Sequence, residues 1–358
     1  MMGVSLDNDE TYARLDPEGL AGRIHALPEQ VGEAWAAGRA LELPDRYTDV
    51  DRVVVAGMGG SGIGGALLQA LAVELRAPLP VHVVRSYGVP AFVDARTLML
   101  ASSASGNTEE VVSSLSAAVE AGAKCVAVTT GGRLLELARA HNLPALTYTW
   151  DAEPRAALGW SFASLLAICG RAGVLPDLDA DLRDALDEMR ALREEIACGV
   201  PEPTNAAKQL ARRLHGKLAA FVGAGPLAPV AYRWRTQVNE NAKSWAIADE
   251  LPEMNHNAQA GFGLPARVVP LLHAVLLRHA SMHPRIKLRV DATADEMRRA
   301  GITAEVVEIP GANILAQMLR AVLLGDFASY DLGLLNGVHP SPVEPLERIK
   351  HRLSSQSG

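Results

Sequence analysis

The sequence predicts an α/β fold made of two doubly wound units with parallel sheets, together with helical N- and C-terminal segments. Between about residues 52 and 150, short apolar runs alternate with stretches of helical periodicity. After Lys217, a second apolar run ends in glycine and leads into helical sequence, which repeats the opening of the first unit. With 358 residues, the chain is long enough for two cores.

We divide the chain into four segments. These are an N-terminal helical segment (1–50), a first unit (51–175), a helical linker (176–215) and a second unit with a C-terminal helix (216–358). In the first unit, strands are expected near 53–57, 81–85, 97–101, 124–129 and 145–149. In the second unit they are expected after Lys217 and near 267–272, 287–290 and 304–308.

Composition narrows the function classes. The formal net charge of −7 gives no electrostatic basis for binding nucleic acid. We see no signal-peptide pattern and no apolar run near the ~18 residues of a membrane span, so a cytoplasmic protein is expected. Three widely spaced cysteines, Cys125, Cys169 and Cys198, are typical of reduced thiols. No residue spacing typical of metal ligands occurs, and we expect no metal and no cofactor.

A glycine-rich turn follows the first predicted strand. The β-branched run 53–55 predicts a buried strand, and Gly57, Gly59, Gly60 and Gly62 follow it around Ser61. A helical pattern begins at Ile63. A strand, a glycine turn and a helix N-terminus gather unpaired N–H groups, so this turn predicts an anion site, with phosphate as its default occupant. The alternative is a turn that needs glycine only for close packing.

The same turn also matches a dinucleotide fingerprint, because its glycines have the G-x-G-x-x-G spacing. That fingerprint requires an acidic residue at the end of the second strand, where this chain has Arg85 and Ser86. Arg85 is able to hold a 2′-phosphate. An NADP-dependent reductase therefore remains an alternative at this stage.

A second polar loop follows the strand at 97–101. Ser103, Ser105 and Thr108 provide hydroxyls ahead of a helix that begins near Glu109. In an open parallel sheet both loops lie at the carboxyl ends of strands, so they face one crevice. One sugar phosphate fits this pair of loops better than a dinucleotide does. The alternative is that Thr108 is an ordinary helix N-cap.

Two further residues suggest acid–base chemistry. Glu240 lies between two asparagines, and three consecutive polar residues cannot all share one exposed helix face. His256 also lies between two asparagines. A carboxylate and an imidazole near a phosphate site favour proton transfer on a sugar. Taken alone, each residue fits a structural role equally well.

Five motifs occur together and in order: GMGGSGIGG, SSASGNTEE, EPRAALGW, QVNENAK and ELPEMNHN. In this order and spacing the chain resembles the bifunctional phosphoglucose/phosphomannose isomerases, a branch of the sugar isomerase (SIS) domain proteins. The resemblance covers nearly the whole chain. It implies two SIS domains and a homodimer with active sites near the subunit interface. It also implies metal-free isomerisation of glucose 6-phosphate and mannose 6-phosphate to fructose 6-phosphate through an enediolate.

The resemblance assigns roles by position. It implies that Glu240 is the base, that Arg155 stabilises negative charge, and that His256, from the neighbouring subunit, and Lys350 assist ring opening. The implied substrate-binding residues are Gly59, Gly60, Ser61, Ser103, Ser105, Thr108 and Ser341.

The chain departs from the family pattern near its C-terminus. His339 stands where the family has an aspartate, and Ser341 stands at its threonine position. Arg348 would replace Lys350 after a small register slip.

Two further readings remain open. A SIS-type regulator would bind sugar phosphate without converting it, and an aminosugar-phosphate isomerase would use the same loops. The presence of both Glu240 and His256 favours an enzyme over the regulator.

Overall fold

The first sheet contains five parallel strands in the order β2-β1-β3-β4-β5. The computed structural model describes residues 4–355. The strands are β1 (Arg52–Ala56), β2 (Val81–Val84), β3 (Thr97–Ser103), β4 (Lys124–Thr129) and β5 (Ala145–Thr147). The central strands are almost entirely buried, as expected for a parallel sheet with helices on both faces. All five lie close to the predicted positions, and the α/β fold with parallel sheets is confirmed.

Seven α-helices lie between residues 4 and 171, and those that follow the first strand cover both faces of the sheet. The seven are α1 (Asp9–Leu15), α2 (Leu20–His25), α3 (Leu27–Ala40), α4 (Gly59–Glu74), α5 (Glu109–Glu120), α6 (Gly132–Ala140) and α7 (Leu158–Arg171). Helix α7 packs between α3 and α4. The glycine turn departs from the prediction, because α4 begins at Gly59 rather than at Ile63. The glycines therefore form the first turn of the helix and bring its free N–H groups to the end of β1.

The second sheet has four parallel strands in the order β7-β6-β8-β9. These are β6 (Leu218–Ala224), β7 (Ala246–Leu251), β8 (Leu272–His279) and β9 (Thr303–Ile309). This order repeats the arrangement of β2, β1, β3 and β4 in the first sheet. The repeated strand and glycine loop in the sequence predicts this repetition.

Two strand predictions in the second unit are wrong, and one strand was missed. The run 287–290 lies within helix α11 (Pro284–Arg299), whose buried residues recur at helical spacing. The strand expected at 267–272 begins only at Leu272, after a 3₁₀ turn at Val269–Leu271. Strand β7 escaped prediction because it lies at the edge of the sheet and carries exposed polar residues, so it lacks an apolar run.

The remaining helices are α8 (Asp179–Ile196), α9 (Ala206–Leu214), α10 (Ala228–Asn241), α12 (Ile314–Leu335) and α13 (Glu344–Ser354). Helix α12 is buried along most of its length and packs against α8, α9 and α10. Gly325 permits the last contact, since a Cβ there would lie 2.2 Å from Trp234 Nε1. Within residues 4–355, the structure contains no helix both long and apolar enough to cross a membrane.

Short 3₁₀ segments connect several of these elements. They cover Asp45–Thr48, Pro154–Ala156, Glu202–Thr204, Gly225–Leu227, Glu253–His256, Ala258–Gly261 and Val269–Leu271. The segment Pro154–Ala156 packs against α4, and α10 also contacts α4. Arg155 in this segment bonds Asn241, the last residue of α10, and Pro154 lies against Gly60, so the C-terminal end of α10 and the glycine turn both adjoin this segment.

Candidate functional site

Two loops at the carboxyl ends of β1 and β3 meet through a hydrogen bond. The Ala104 N–H donates to Ser61 Oγ at 3.2 Å, which joins the glycine turn to the hydroxyl loop. Gly59 has a φ of +51°, a conformation that favours glycine. A Cβ at Gly60 would lie 2.6 Å from the Pro154 carbonyl oxygen. Only glycine therefore allows the turn to approach the segment that carries Arg155.

The hydroxyl loop after β3 is organised by its own side chains. Ser103 Oγ and Thr108 Oγ1 lie 2.8 Å apart, and the Gly106 N–H donates to Ser103 Oγ at 3.1 Å. Thr108 occupies the N-cap position of α5, yet its hydroxyl caps no N–H among the described residues. The Ser105 hydroxyl is on the exposed side of the loop. The three hydroxyls therefore surround the N-terminus of α5, an arrangement that suits an anion.

Arg155 is buried, and its hydrogen bonds fix the direction of its guanidinium. Nε donates to Asn241 Oδ1 at 2.7 Å. Nη2 donates to the carbonyl oxygens of Pro340 and Ser341 at 2.8 and 3.0 Å. Because an arginine has five N–H donors, the pair on Nη1 remains for the site. Burial lowers the pKa of Arg155, whereas the carboxylates of Glu240 and Glu153 oppose that shift.

Glu240 lies at the end of α10 and faces this free pair of donors. Its Oε2 is 3.6 Å from Arg155 Nη1, and about a quarter of its side chain (27%) is exposed. Within residues 4–355 its carboxylate makes no other hydrogen bond or ion pair. A carboxylate that is partly open to solvent and lies beside a fixed cation can accept a proton from a bound molecule.

A buried network of hydrogen bonds and one ion pair holds the residues that contact Arg155. The Asn241 amide donates to Ser329 Oγ at 3.0 Å, and Ser329 Oγ donates to the Asp326 carbonyl oxygen at 2.9 Å. Arg233 holds the Asp326 carboxylate in a two-pronged ion pair with distances of 3.0 and 2.6 Å. Arg233 also donates to the Arg155 carbonyl oxygen at 3.0 Å. The side chain and the backbone of Arg155 are thus both bonded to α10, and the same two α10 residues are bonded in turn to α12.

Glu153 adds a second carboxylate near Arg155. Its Oε2 accepts a hydrogen bond from Arg23 Nη1 at 2.6 Å. Burial alone would raise the pKa of Glu153, but the Ser341 hydroxyl and the cations of Arg155 and Arg23 lower it below its usual value. Glu153 is therefore held as a charged structural partner, while Glu240 remains open.

The structure does not bring His256 and Lys350 to this pair. His256 is exposed at the end of a 3₁₀ segment and makes no hydrogen bond or ion pair with any residue between 4 and 355. Lys350 lies on the exposed helix α13, where its Nζ pairs with Glu347 Oε1 at 2.9 Å. Ser341, by contrast, is buried beside Arg155 and Glu153. Over the same described range, no group of three or more His, Cys, Asp or Glu side chains is arranged to hold a metal ion.

The chain is similar in sequence to named sugar-phosphate isomerases. Residues 203–353 match the family described as the bacterial phospho-glucose isomerase C-terminal SIS domain. The chain is 36% identical over 334 residues to the bifunctional phosphoglucose/phosphomannose isomerase of Caldicellulosiruptor bescii, covering 92% of this chain and 98% of that protein. The chain belongs to the bifunctional phosphoglucose/phosphomannose isomerase family. The protein of the same name from Aquifex aeolicus is 32% identical over 306 residues, covering 85% of this chain and 91% of that protein.

Membership of the bifunctional phosphoglucose/phosphomannose isomerase family confirms the resemblance seen in the motifs. The fold is also similar to a solved structure. A hypothetical protein from Thermus thermophilus superimposes with a TM-score of 0.75 at 18% identity, covering 98% of this chain and 94% of that chain. That likeness supports the fold alone.

Sequence reasoning missed several residues around the site, namely Glu153, Asn241, Lys243, Arg233 and Asp326. Three of these had a visible signal, since Glu153 opens the EPRAALGW motif that contains Arg155. Asn241 and Lys243 stand in the same QVNENAK motif as Glu240, and a polar residue inside the buried end of a helix predicts a hydrogen-bonding task. Arg233 and Asp326 are separated by 93 positions, and only the packing of α10 on α12 joins them.

Proposed function

We propose that this protein interconverts glucose 6-phosphate and mannose 6-phosphate with fructose 6-phosphate. The observation that carries the proposal is the Glu240 carboxylate beside the buried, directed guanidinium of Arg155. Moving a proton between C2 and C1 needs one base and one group that stabilises an enediolate. Family membership supports the same reaction, since its members named above are phosphoglucose/phosphomannose isomerases.

The proposed mechanism gives each residue a step. The hydroxyls of Ser61, Ser103, Ser105 and Thr108, with the backbone of Gly59 and Gly60, hold the phosphate. His256 and Lys350 transfer a proton to the ring oxygen, which opens the sugar ring. Glu240 then removes the C2 proton and returns it at C1, while the proton on O2 passes to O1. The free Nη1 donors of Arg155 stabilise the negative charge that develops on the sugar oxygens. No step requires a metal or a cofactor.

We further propose that the working form is a homodimer in which His256 completes the site of the neighbouring subunit. His256 is exposed and unpartnered in the described part of the chain. The edge strand β7 lies shortly before it and begins beside Trp245, whose side chain is 78% exposed. Ile247 on the same strand is 44% exposed. An open edge with exposed apolar side chains is suited to cover by another chain.

A mixing experiment tests this sharing of sites. Glu240→Gln and His256→Ala are each expected to be inactive as homodimers. Each mixed dimer would contain one site with Glu240 from one subunit and His256 from the other, so activity should return after the two proteins are unfolded and refolded together. Refolding each variant alone is the control. If the mixture stays inactive while mixed dimers form, the shared site is wrong.

Conversion of both glucose 6-phosphate and mannose 6-phosphate requires free space beside C2 of the bound sugar. Glucose 6-phosphate and mannose 6-phosphate differ at C2 and give the same enediolate once that proton is lost. One base serves both sugars if the substrate can turn within the pocket. The small Ser341, which is buried next to Arg155, leaves more space there than threonine would.

A coupled assay with EDTA present tests the reaction. We expect conversion of both aldoses to fructose 6-phosphate. Activity on glucose 6-phosphate alone would refute dual specificity, and inhibition by EDTA would refute the metal-free mechanism. Inactivity on both, with sugar phosphate still bound, would favour the regulator. Turnover of glucosamine 6-phosphate alone would favour the aminosugar isomerase, and saturable NADPH binding would favour the reductase.

The organisation of the chain completes the proposal. We retain the four segments 1–50, 51–175, 176–215 and 216–358, with a SIS domain in the second and fourth. Phosphate binding is assigned to the first of these domains, because the second glycine loop lacks comparable hydroxyls. A cytoplasmic location is supported by three free cysteines, whose burial raises each thiol pKa to about 12.

A further inference from the structure

Lys243 lies two residues after the end of helix α10, and its side chain points back toward the candidate site. Its backbone φ of +53° is left-handed, which is uncommon for a residue other than glycine. Its Nζ donates to the Glu240 carbonyl oxygen at 2.5 Å and to the Pro340 carbonyl oxygen at 2.8 Å. The ammonium therefore bridges the end of α10 and the turn that contains Ser341.

The Pro340 carbonyl oxygen is shared. It accepts from Lys243 Nζ and also from Arg155 Nη2, each at 2.8 Å. Lys243 thus contacts the backbone of the residue that carries the proposed base. It also contacts the same acceptor that directs the proposed electrostatic partner. Displacing the ammonium would free both attachments at once.

The charged groups that act on Lys243 are Arg155, Glu240 and Glu153, and the turn that it contacts also carries His339, whose Nε2 lies 3.6 Å from Glu18 Oε1. Burial is the main influence, and with the nearby Arg155 cation it lowers the pKa of Lys243 to about 8. The carboxylates of Glu240 and Glu153 act in the opposite direction. Arg23 lies on the far side of Glu153 and is paired with it. Lys243 is therefore protonated below about pH 8 and loses its charge above it.

We propose that Lys243 is a positioning residue of the isomerase site, which fastens the end of the Glu240 helix to the Pro340–Ser341 turn that directs Arg155. This inference rests on the proposed function. Because Lys243 contacts backbone oxygens rather than the base itself, its loss should disturb the geometry of proton transfer more than the affinity for substrate. A small misplacement of reacting groups costs up to about 100-fold in rate.

The chain offers a matched control in Lys124. Its Nζ also bridges two carbonyl oxygens, those of Asp49 at 2.5 Å and Ala95 at 2.6 Å. Lys124 begins strand β4, so it lies at the amino ends of the strands, opposite the candidate site. Replacing it removes the same kind of bridge without touching the Arg155–Glu240 pair.

The experiment compares Lys243→Met, Lys243→Arg and Lys124→Met with the parent, using kcat and KM for glucose 6-phosphate, pH profiles and thermal midpoints. We expect Lys243→Met to lower kcat roughly 10- to 100-fold with a smaller change in KM. Lys243→Arg should recover most of this loss, since its guanidinium keeps the charge. Activity of the parent should fall above about pH 8, and in Lys243→Arg this fall should move to higher pH.

Each result decides the question. Full kcat in Lys243→Met overturns the positioning role. Equal losses of kcat and thermal stability in Lys243→Met and Lys124→Met would reveal a merely structural bridge, which also overturns it. If Lys243→Met does not fold, the pH profiles of the parent and of Lys243→Arg still test the positioning role. If activity falls at the same alkaline pH in both proteins, the positioning role is overturned. A parent inactive on both aldoses defeats the proposed function as well, whereas an active parent isolates the failure to Lys243.

Discussion

The Arg155–Glu240 part of the site and the His256–Lys350 part differ in how the chain supports them. Arg155 is buried and bound by Asn241, Pro340 and Ser341. His256 and Lys350 are exposed, on a 3₁₀ segment and on a helix that packs little against the rest. Buried polar groups require hydrogen-bond partners within the fold, whereas exposed polar groups bond to water and remain available to a ligand or another chain. A single chain therefore holds Arg155 and Glu240 in place, whereas it leaves His256 and Lys350 exposed.

The largest expected effect on kcat comes from the Arg155–Glu240 part of the site. Glu240→Gln should lower kcat for glucose 6-phosphate by roughly 10²–10⁴, because an amide cannot accept the C2 proton. Substrate binding should be nearly unchanged, measured by calorimetry. Glu296→Gln, at an exposed position of α11, is the control and should behave as the parent does. Turnover within a few-fold of the parent would remove Glu240 from the mechanism.

Removing the support of Arg155 should have the next largest effect. Asn241→Leu deletes the acceptor of Arg155 Nε and leaves a buried donor unpaired, at a cost of about 1–3 kcal/mol in stability. We expect a lower thermal midpoint and a kcat reduced roughly tenfold or more, since the guanidinium loses its direction.

Ser329→Ala is the matched control for this change. It removes the partner of the Asn241 amide but keeps the oxygen that accepts from Arg155. Its effect on kcat should be smaller than that of Asn241→Leu. Equal effects would mean that general destabilisation, rather than the Arg155 contact, limits the rate.

The hydroxyl loop should show a binding effect. Thr108→Val and Ser105→Ala each remove a hydroxyl that would hold the phosphate equally in ground and transition states. Since a hydrogen bond to a charged group contributes about 1.5–3 kcal/mol, KM should rise roughly tenfold or more with little change in kcat. Thr204→Val is the control. Failure of inorganic phosphate to compete with substrate would show that the loop holds something else.

The smallest effect is expected at helix α13. Lys350→Met should leave the thermal midpoint unchanged, because 71% of this side chain is exposed. If Lys350 assists ring opening, kcat should fall by a few-fold, and Arg348→Met should not change it. The opposite order would assign the role to Arg348, which pairs with Glu344 on the same helix.

The comparison also shows where prediction from sequence succeeded. The three central strands of the first sheet, β1, β3 and β4, coincide with predicted apolar runs, since a strand buried on both faces needs few polar residues. The prediction failed at β7 and at 287–290. An edge strand needs few apolar residues. At 287–290, Leu288 and Val290 alternate with two charged residues, and an alternation of only four residues fits a helix as well as a strand.

The sequence by itself determined the fold class, the two loops, and the family through five motifs in order. It also singled out Glu240 and Arg155, although 85 positions separate them. Only the tertiary structure decided that these two face each other, and that Asn241, Lys243 and Pro340 hold them there. The physical reason is that local patterns report burial and periodicity within one element. A hydrogen bond between distant elements depends on how α10, α12 and the Pro154–Ala156 segment pack, and no local pattern records that.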